Sequence, residues 1–366
     1  MKTVYESGSV EQIVSATAQK LKDCTFIMYG ADDSRFEEIS SKLHKALPDA
    51  KMIGTTGYLL SADSGMSQGI VAIGFLDSEA EVYVGTLRKV DTYPIKYLPG
   101  LIWSSDMITK KYKNNLCIEF TTGCEEKVVS TMKVCLEKVG MRLIGATAGN
   151  TAEGQQKKVS CNGKVLTNSA VFATIGSKIG KIEIYKENLF HTRKKSHTVT
   201  KVSDDERTIL EIDNRKAMDV YEEDNNYTDT TVSEGIFLNP LCRVVGAQHY
   251  ITGIRSFNKS DRSISVYKNI QKNDLISFTD IDSDFKQFIK DNLNDILSKN
   301  NIAGIFSINS ILRYLFFEKN NFTGEYAKLF SKAANGCHAG IISDGEQYIE
   351  QHINQSMVCA VFTKDR

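Results

Sequence analysis

One arrangement recurs along this chain and constrains its fold more than any other feature. It is a helix, a short apolar strand, a polar loop, a second helix, and a strand ending in a glycine-rich bend. In the first copy Val10, Ile13, Val14, Thr17 and Leu21 share one helical face. The strand TFIMY (25–29) follows, then the loop GADDS, then a helix with Phe36, Ile39, Leu43 and Leu47 at helical spacing. AKMIGTTG makes the next strand and its bend, and GIVAIGF (69–75) closes the copy.

The order returns. After the helix GLIWSSDMITKKY come the strand NLCIEF (115–120), the loop TTGCE and a second helix. In that helix Val128, Val129, Met132, Cys135, Leu136 and Val139 lie on one face, and Gly140 stops it. RLIGATAG and NSAVFATIG (168–176) complete the unit. Phe120 stands 91 residues after Tyr29, and Gly145 stands 91 after Gly54, so the two units read as a duplication. A third copy carries Phe285, Phe288, Ile289, Leu293, Ile296 and Leu297 on one helix. It continues with the strand IAGIF (302–306), the loop SINS and helices through Leu312, Leu315, Phe316, Tyr326, Leu329 and Phe330. NGCHAG (335–340) and the strand QSMVCAVF (355–362) end it.

Residues 232–280 differ: short strands such as GAQHYITGIRSF, SISVYKN and LISFTD, separated by turns, read as an antiparallel meander. The expected fold is α/β, in two domains of mixed β-sheets flanked by helices, with a four-layer α/β/β/α sandwich as the alternative. The first domain, 1–221, holds the units at about 10–76 and 99–176; the second, 222–366, holds the meander and the third unit. The polar stretch EEDNNYTDTT (222–231) marks the expected boundary.

Composition narrows the function. Forty-five basic residues balance forty-five acidic ones, so no net charge draws the chain to nucleic acid or acidic membranes. The one basic run, HTRKKSH (191–197), has no interleaved aromatics and reads as a solvated strand end. No apolar stretch is long enough to span a bilayer. The eight cysteines are scattered and never spaced C-x-x-C, which points to reduced thiols in a cytoplasm. The six histidines show no ligand spacing, so no metal is expected, and nothing calls for a cofactor.

The glycine bends are the main chemical clue: Gly54 and Gly57, Gly145 and Gly149, Gly336 and Gly340, with Gly345 soon after. Glycine serves where backbone needs positive φ or close approach. Each bend is either a tight buried turn or the wall of a small-molecule pocket at the strand ends, with Thr55 and Thr147 facing it. None fits a dinucleotide fingerprint or a P-loop. GCHAG (336–340) invites a nucleophilic reading of Cys337, but its alignment puts Cys337 and His338 where Ala146 and Thr147 stand. Neighbouring residues of an extended strand also point to opposite faces, so the pair cannot meet. His338 facing a cavity is the better expectation. Asp32 and Asp33 read as a helix cap. Arg255, Arg313, Glu346 and Asn354 each border an apolar element and are candidate ligand contacts; an arginine there would suit a carboxylate.

The order of motifs resembles the FIST family. MIGTTGYLLS with GIVAIGF, ILEIDNRKAMDVYEE (209–223), YITGIRSFN and GIISDGEQYIEQHINQSMVCAVF are similar to its characteristic segments. The chain departs at Asn214, Ile341 and Ser356, and Asn309 and Ser310 stand where a cysteine precedes the arginine equivalent to Arg313. The resemblance implies a bacterial sensory module that recognises small molecules such as amino acids. The expected function is a cytoplasmic sensor in signal transduction without chemistry of its own. Its output would pass through a separate signalling protein or a homo-oligomer, since no output segment follows the last strand. The alternative is a hydrolase or lyase using Glu346 and His338 as acid and base beside Arg313. A third reading is a scaffold binding protein through a sheet edge or residues 186–216.

Overall fold

Amphipathic periodicity becomes helices laid on sheets. The computed structural model describes the chain except residues 62–63, 151–154, 247, 300, 350 and 366; the side chains of 61–67 and 297–299, Leu297 among them, also lie outside the description. Helix Val10–Leu21 begins in a capping box: Ser9 Oγ accepts from the Gln12 amide, and the Gln12 side chain accepts from the Ser9 amide at 2.9 Å. Its face of Val10, Ile13, Val14 and Leu21 packs with Phe36, Ile39 and Leu43 of helix Phe36–Ala46 and with Ile27 and Tyr29 of the strand between them. Helices Leu98–Lys111 and Glu125–Leu136 cover the second copy in the same way, through Leu101, Ile108, Val128 and Met132.

Strand topology shows three copies of one unit. Each has an edge strand, a central strand, a strand parallel to it, an added hairpin, and a return strand antiparallel to the centre. The central strands are Cys24–Ala31, Asn115–Thr121 and Ile302–Ser310. Their parallel partners are Lys51–Thr56, Leu143–Thr147 and His338–Ser343. The hairpins are exchanged. Tyr58–Ser61 leaves the first copy and pairs with the third (Leu59 opposite Ile341). Gly345–Tyr348 leaves the third and pairs with the second (Glu346 opposite Ala146). Val159–Cys161 leaves the second and pairs with the first (Ser160 opposite Gly54). Three six-stranded mixed sheets therefore close a cycle. Away from the helices, sheet packs on sheet, with Phe75 edge-on to Phe362 at 5.0 Å and Phe120 against Phe306 at 6.0 Å.

Register corrects the alignment of the copies by one residue. Tyr29 lies opposite Gly54, but Glu119, not Phe120, lies opposite Gly145. In the third copy Ser307 lies opposite Gly340, so GCHAG enters the repeat through its last glycine. Gly336 instead ends helix Thr323–Ala333: its φ is +83° and its amide donates to Ser331 O at 2.8 Å.

The chain divides into two compact units. One comprises Met1–Lys186, Lys290–His352 and Met357–Arg366; the other comprises Glu187–Ile289 with Ile353–Ser356. The second unit is inserted into the third copy, between its edge strand Ile182–Asn188 and its first helix Phe285–Lys299. Residues 222–231 lie inside this insertion, not at its border. It holds an antiparallel sheet in which the long strand Phe190–Val202 pairs with Leu275–Ile281 and Thr208–Ile212. The basic run of that strand meets acids: Arg193 pairs with Asp280, Lys195 with Asp224, and His197 sits between Asp213 and Asp224. All eight cysteines are free thiols. Among the described residues no helix is long and apolar enough to cross a membrane.

Candidate functional site

The third copy concentrates polar chemistry where its parallel strands end. Alternation along Ile302–Ser310 places Ser307 and Asn309 on one face, opposite Gly340 and Ile342 of the neighbouring strand. Gly340 has no side chain, and a Cβ there would lie 2.8 Å from Ser307 Oγ and 3.1 Å from His338 Cε1. Ser307 and His338 therefore meet over it, Oγ to Nε2 at 2.8 Å. Asn309 Nδ2 donates to Ser307 Oγ at 3.2 Å, and Tyr326 OH donates to Asn309 Oδ1 at 2.6 Å. Phe330 stacks on the His338 ring at 4.8 Å. Burial pushes the imidazole down to about 3, so it is neutral near pH 7.

Arg313 belongs to the same cluster. Helix Ile311–Lys319 starts directly after the central strand, and its first turn buries Arg313 at 2% exposure. The guanidinium lies over the Phe317 ring at 4.9 Å and the Tyr326 ring at 5.6 Å. Tyr326 thus carries the cation on its face and Asn309 on its hydroxyl. Ser343, paired with Ser310, donates to Glu346 Oε1 at 3.0 Å, and Glu346 is fully buried. Arg313 and His338, both named from sequence, are joined through Ser307, Asn309 and Tyr326. Ser343 Oγ, which donates to Glu346, also lies 3.5 Å from the Asn309 carbonyl. None of these four linking residues was named as a ligand contact.

The other candidates make separate contacts. Thr147 donates to Glu125 Oε1 at 3.0 Å and accepts from Gln347 Nε2 at 3.1 Å, in the second copy's sheet. Thr55 donates to the neighbouring Thr56 carbonyl at 3.2 Å. Arg255 and Asn354 belong to the second unit, where Arg255 is exposed and Asn354 Oδ1 accepts from the Gly253 amide at 3.2 Å. Asp32 caps no helix; its carboxylate accepts from the Gly69 amide at 3.0 Å and pairs with Arg35 at 2.7 Å, tying the loop to the return strand.

The glycine bends converge. The Gly149 amide donates to Thr56 O at 2.9 Å, and the Asp344 amide donates to Thr147 O at 3.2 Å. A Cβ on Gly57, whose φ is +152°, would lie 2.7 Å from Ile342 O. These are packed crossings where one sheet hands a strand to the next. Gly54 and Gly145 make room for a side chain instead: a Cβ on Gly54 would lie 2.3 Å from the Tyr29 ring, and one on Gly145 would lie 2.5 Å from Glu119 Oε1. Among the described residues, cavities of about 240, 390 and 320 Å³ border Ile349, Tyr97 and Cys124, and no bend glycine lines these.

Glu119 went unread in NLCIEF. It is fully buried, and neither carboxyl oxygen has a hydrogen-bond partner. Burial, then the nearby Glu125 charge, pushes it well above the usual carboxylate range. The signal in the sequence was a charged residue inside an apolar strand, just as Ser307 and Asn309 interrupt IFSINS.

The family model described as FIST N domain matches residues 24–215, and that described as FIST C domain matches residues 217–349. No curated protein matches the chain.

Proposed function

The chain belongs to the FIST family, whose domains are sensory modules of signal transduction, and on that premise we propose that it binds a small carboxylate or amino acid through the Arg313 cluster. Arg313 itself carries this reading. A guanidinium costs several kcal/mol to bury, and it is held here on two aromatic rings at the C-terminal end of a parallel strand, where α/β folds bind ligands. Its planar fork matches a carboxylate, and the buried Glu346 carboxyl beside Ser343 suits the amine of an amino acid.

Sensing without chemistry is the better reading. A His338 held at about 3 donates no proton as a general acid near pH 7. Ser307 and His338 have the spacing of a nucleophile and base, yet His338 Nδ1 meets no group that would orient the ring. The scattered free thiols favour a cytoplasmic setting. A separate signalling protein or a second copy would carry the output.

A melting-temperature screen of amino acids and small carboxylates tests this. At a hundredfold excess over Kd a ligand adds about 2.7 kcal/mol, a rise of several degrees. Arg313→Lys keeps the charge and loses the fork, so the rise should vanish in that variant. A wild-type protein indifferent to the whole panel would remove the proposal.

A further inference from the structure

The hydrogen bonds around His338 have a direction. Tyr326 OH donates to Asn309 Oδ1, which only accepts, at 2.6 Å. That leaves the Asn309 amide nitrogen donating to Ser307 Oγ at 3.2 Å. Among the described residues the Ser307 hydroxyl proton has no acceptor but His338 Nε2, so it points along that 2.8 Å contact. A neutral imidazole whose Nε2 accepts carries its proton on Nδ1. That Nδ1 is buried and has no partner, while Phe330 covers a face of the ring.

We propose that His338 presents Nδ1–H as a donor for an acceptor oxygen of the ligand, a carboxylate or carbonyl, with Tyr326, Asn309 and Ser307 setting the tautomer. This rests on the reading of the Arg313 cluster as the ligand site and adds a second contact to it. A buried donor left unmet is costly, and an acceptor oxygen arriving there removes that cost. The arrangement therefore discriminates against ligands that offer only donors. Ser307, Asn309 and Tyr326 act through His338 and are positioning residues.

Nitrogen-15 NMR of the histidine-labelled full chain tests this, with the His338 signals identified by their loss in His338→Gln. The expected spectrum has His338 protonated at Nδ1, and the Nδ1–H resonance moves downfield as sodium acetate is added. Tyr326→Phe, which frees the Asn309 amide to turn over, should mix in the other tautomer. A wild-type His338 protonated at Nε2 reverses the polarity of the chain and overturns the proposal. So does an Nδ1–H resonance that stays fixed while acetate raises the melting temperature, or that stays fixed up to the highest acetate concentration. Failure of the sensor reading shows differently, as a melting temperature unmoved by every member of the carboxylate and amino-acid panel.

Discussion

The second and third copies use one backbone register for opposite ends. Glu119 lies across Gly145, and Ser307 lies across Gly340, each on the helix-covered face of a parallel pair. In the third copy the polar group heads a chain of partners that reaches a buried cation. In the second it is an acid with no hydrogen-bond partner, its carboxyl pushed well above the usual range by burial. The first copy has only Tyr29 there, its ring over Gly54 and its hydroxyl donating to Ser40 Oγ at 2.8 Å. The fold was repeated and the chemistry was not: packing needs a glycine under a large side chain, but leaves open what that side chain carries.

Alanine at the three glycines should break this comparison most visibly. At Gly54 a Cβ would lie 2.3 Å from a rigid, buried ring, so Gly54→Ala should cost about 3 kcal/mol or more in urea unfolding. At Gly145 the obstacle is the far end of Glu119, and at Gly340 it is Ser307 Oγ at 2.8 Å. Both should cost less, about 1–2 kcal/mol. Equal costs at all three would show that the side chain above the glycine does not matter.

Acidity should separate the copies by sign. Glu119 titrates in the folded protein above its ordinary value, so its contribution is full at low pH and is lost as pH rises through the folded value. Glu119→Gln should therefore gain on wild type as pH rises. His338 is depressed from 6.5 to about 3, so its contribution is present above 6.5 and is lost as pH falls toward 3. His338→Gln should lose less stability than wild type on acidification. Melting temperatures of both variants across pH check this; slopes of one sign would refute the contrast.

The smallest effect sharpens the third copy alone. Tyr326→Phe keeps the ring under Arg313 and removes the hydroxyl from Asn309, for about 1 kcal/mol in urea unfolding.

Much of the fold was legible because it is local. Faces such as Ile13, Val14 and Leu21 or Val128, Val129 and Met132 follow from burying one side of a helix, and the structure packs those faces inward. Arg313, His338 and Glu346 stood out as polar residues beside apolar runs. Ser307, Asn309 and Glu119 did not, because a strand covered on both faces reads as continuously apolar and a polar exception passes as noise. The exchanged hairpins were missed for a related reason: Val159–Cys161 and Lys164–Leu166 are three residues each, too short to show a period.

The amino-acid sequence alone determined the α/β class, the recurrence of the unit and the antiparallel character of the inserted region, since periodicity of burial is written residue by residue. Only the tertiary structure decided that Glu119 replaces Phe120 in register, that Gly340 replaces Gly336, and that each copy hands its hairpin to another. Those choices belong to contacts between segments far apart in the chain. There, the shape of a side chain over a glycine and the pairing of backbone groups across sheets select among alignments that local pattern leaves equal.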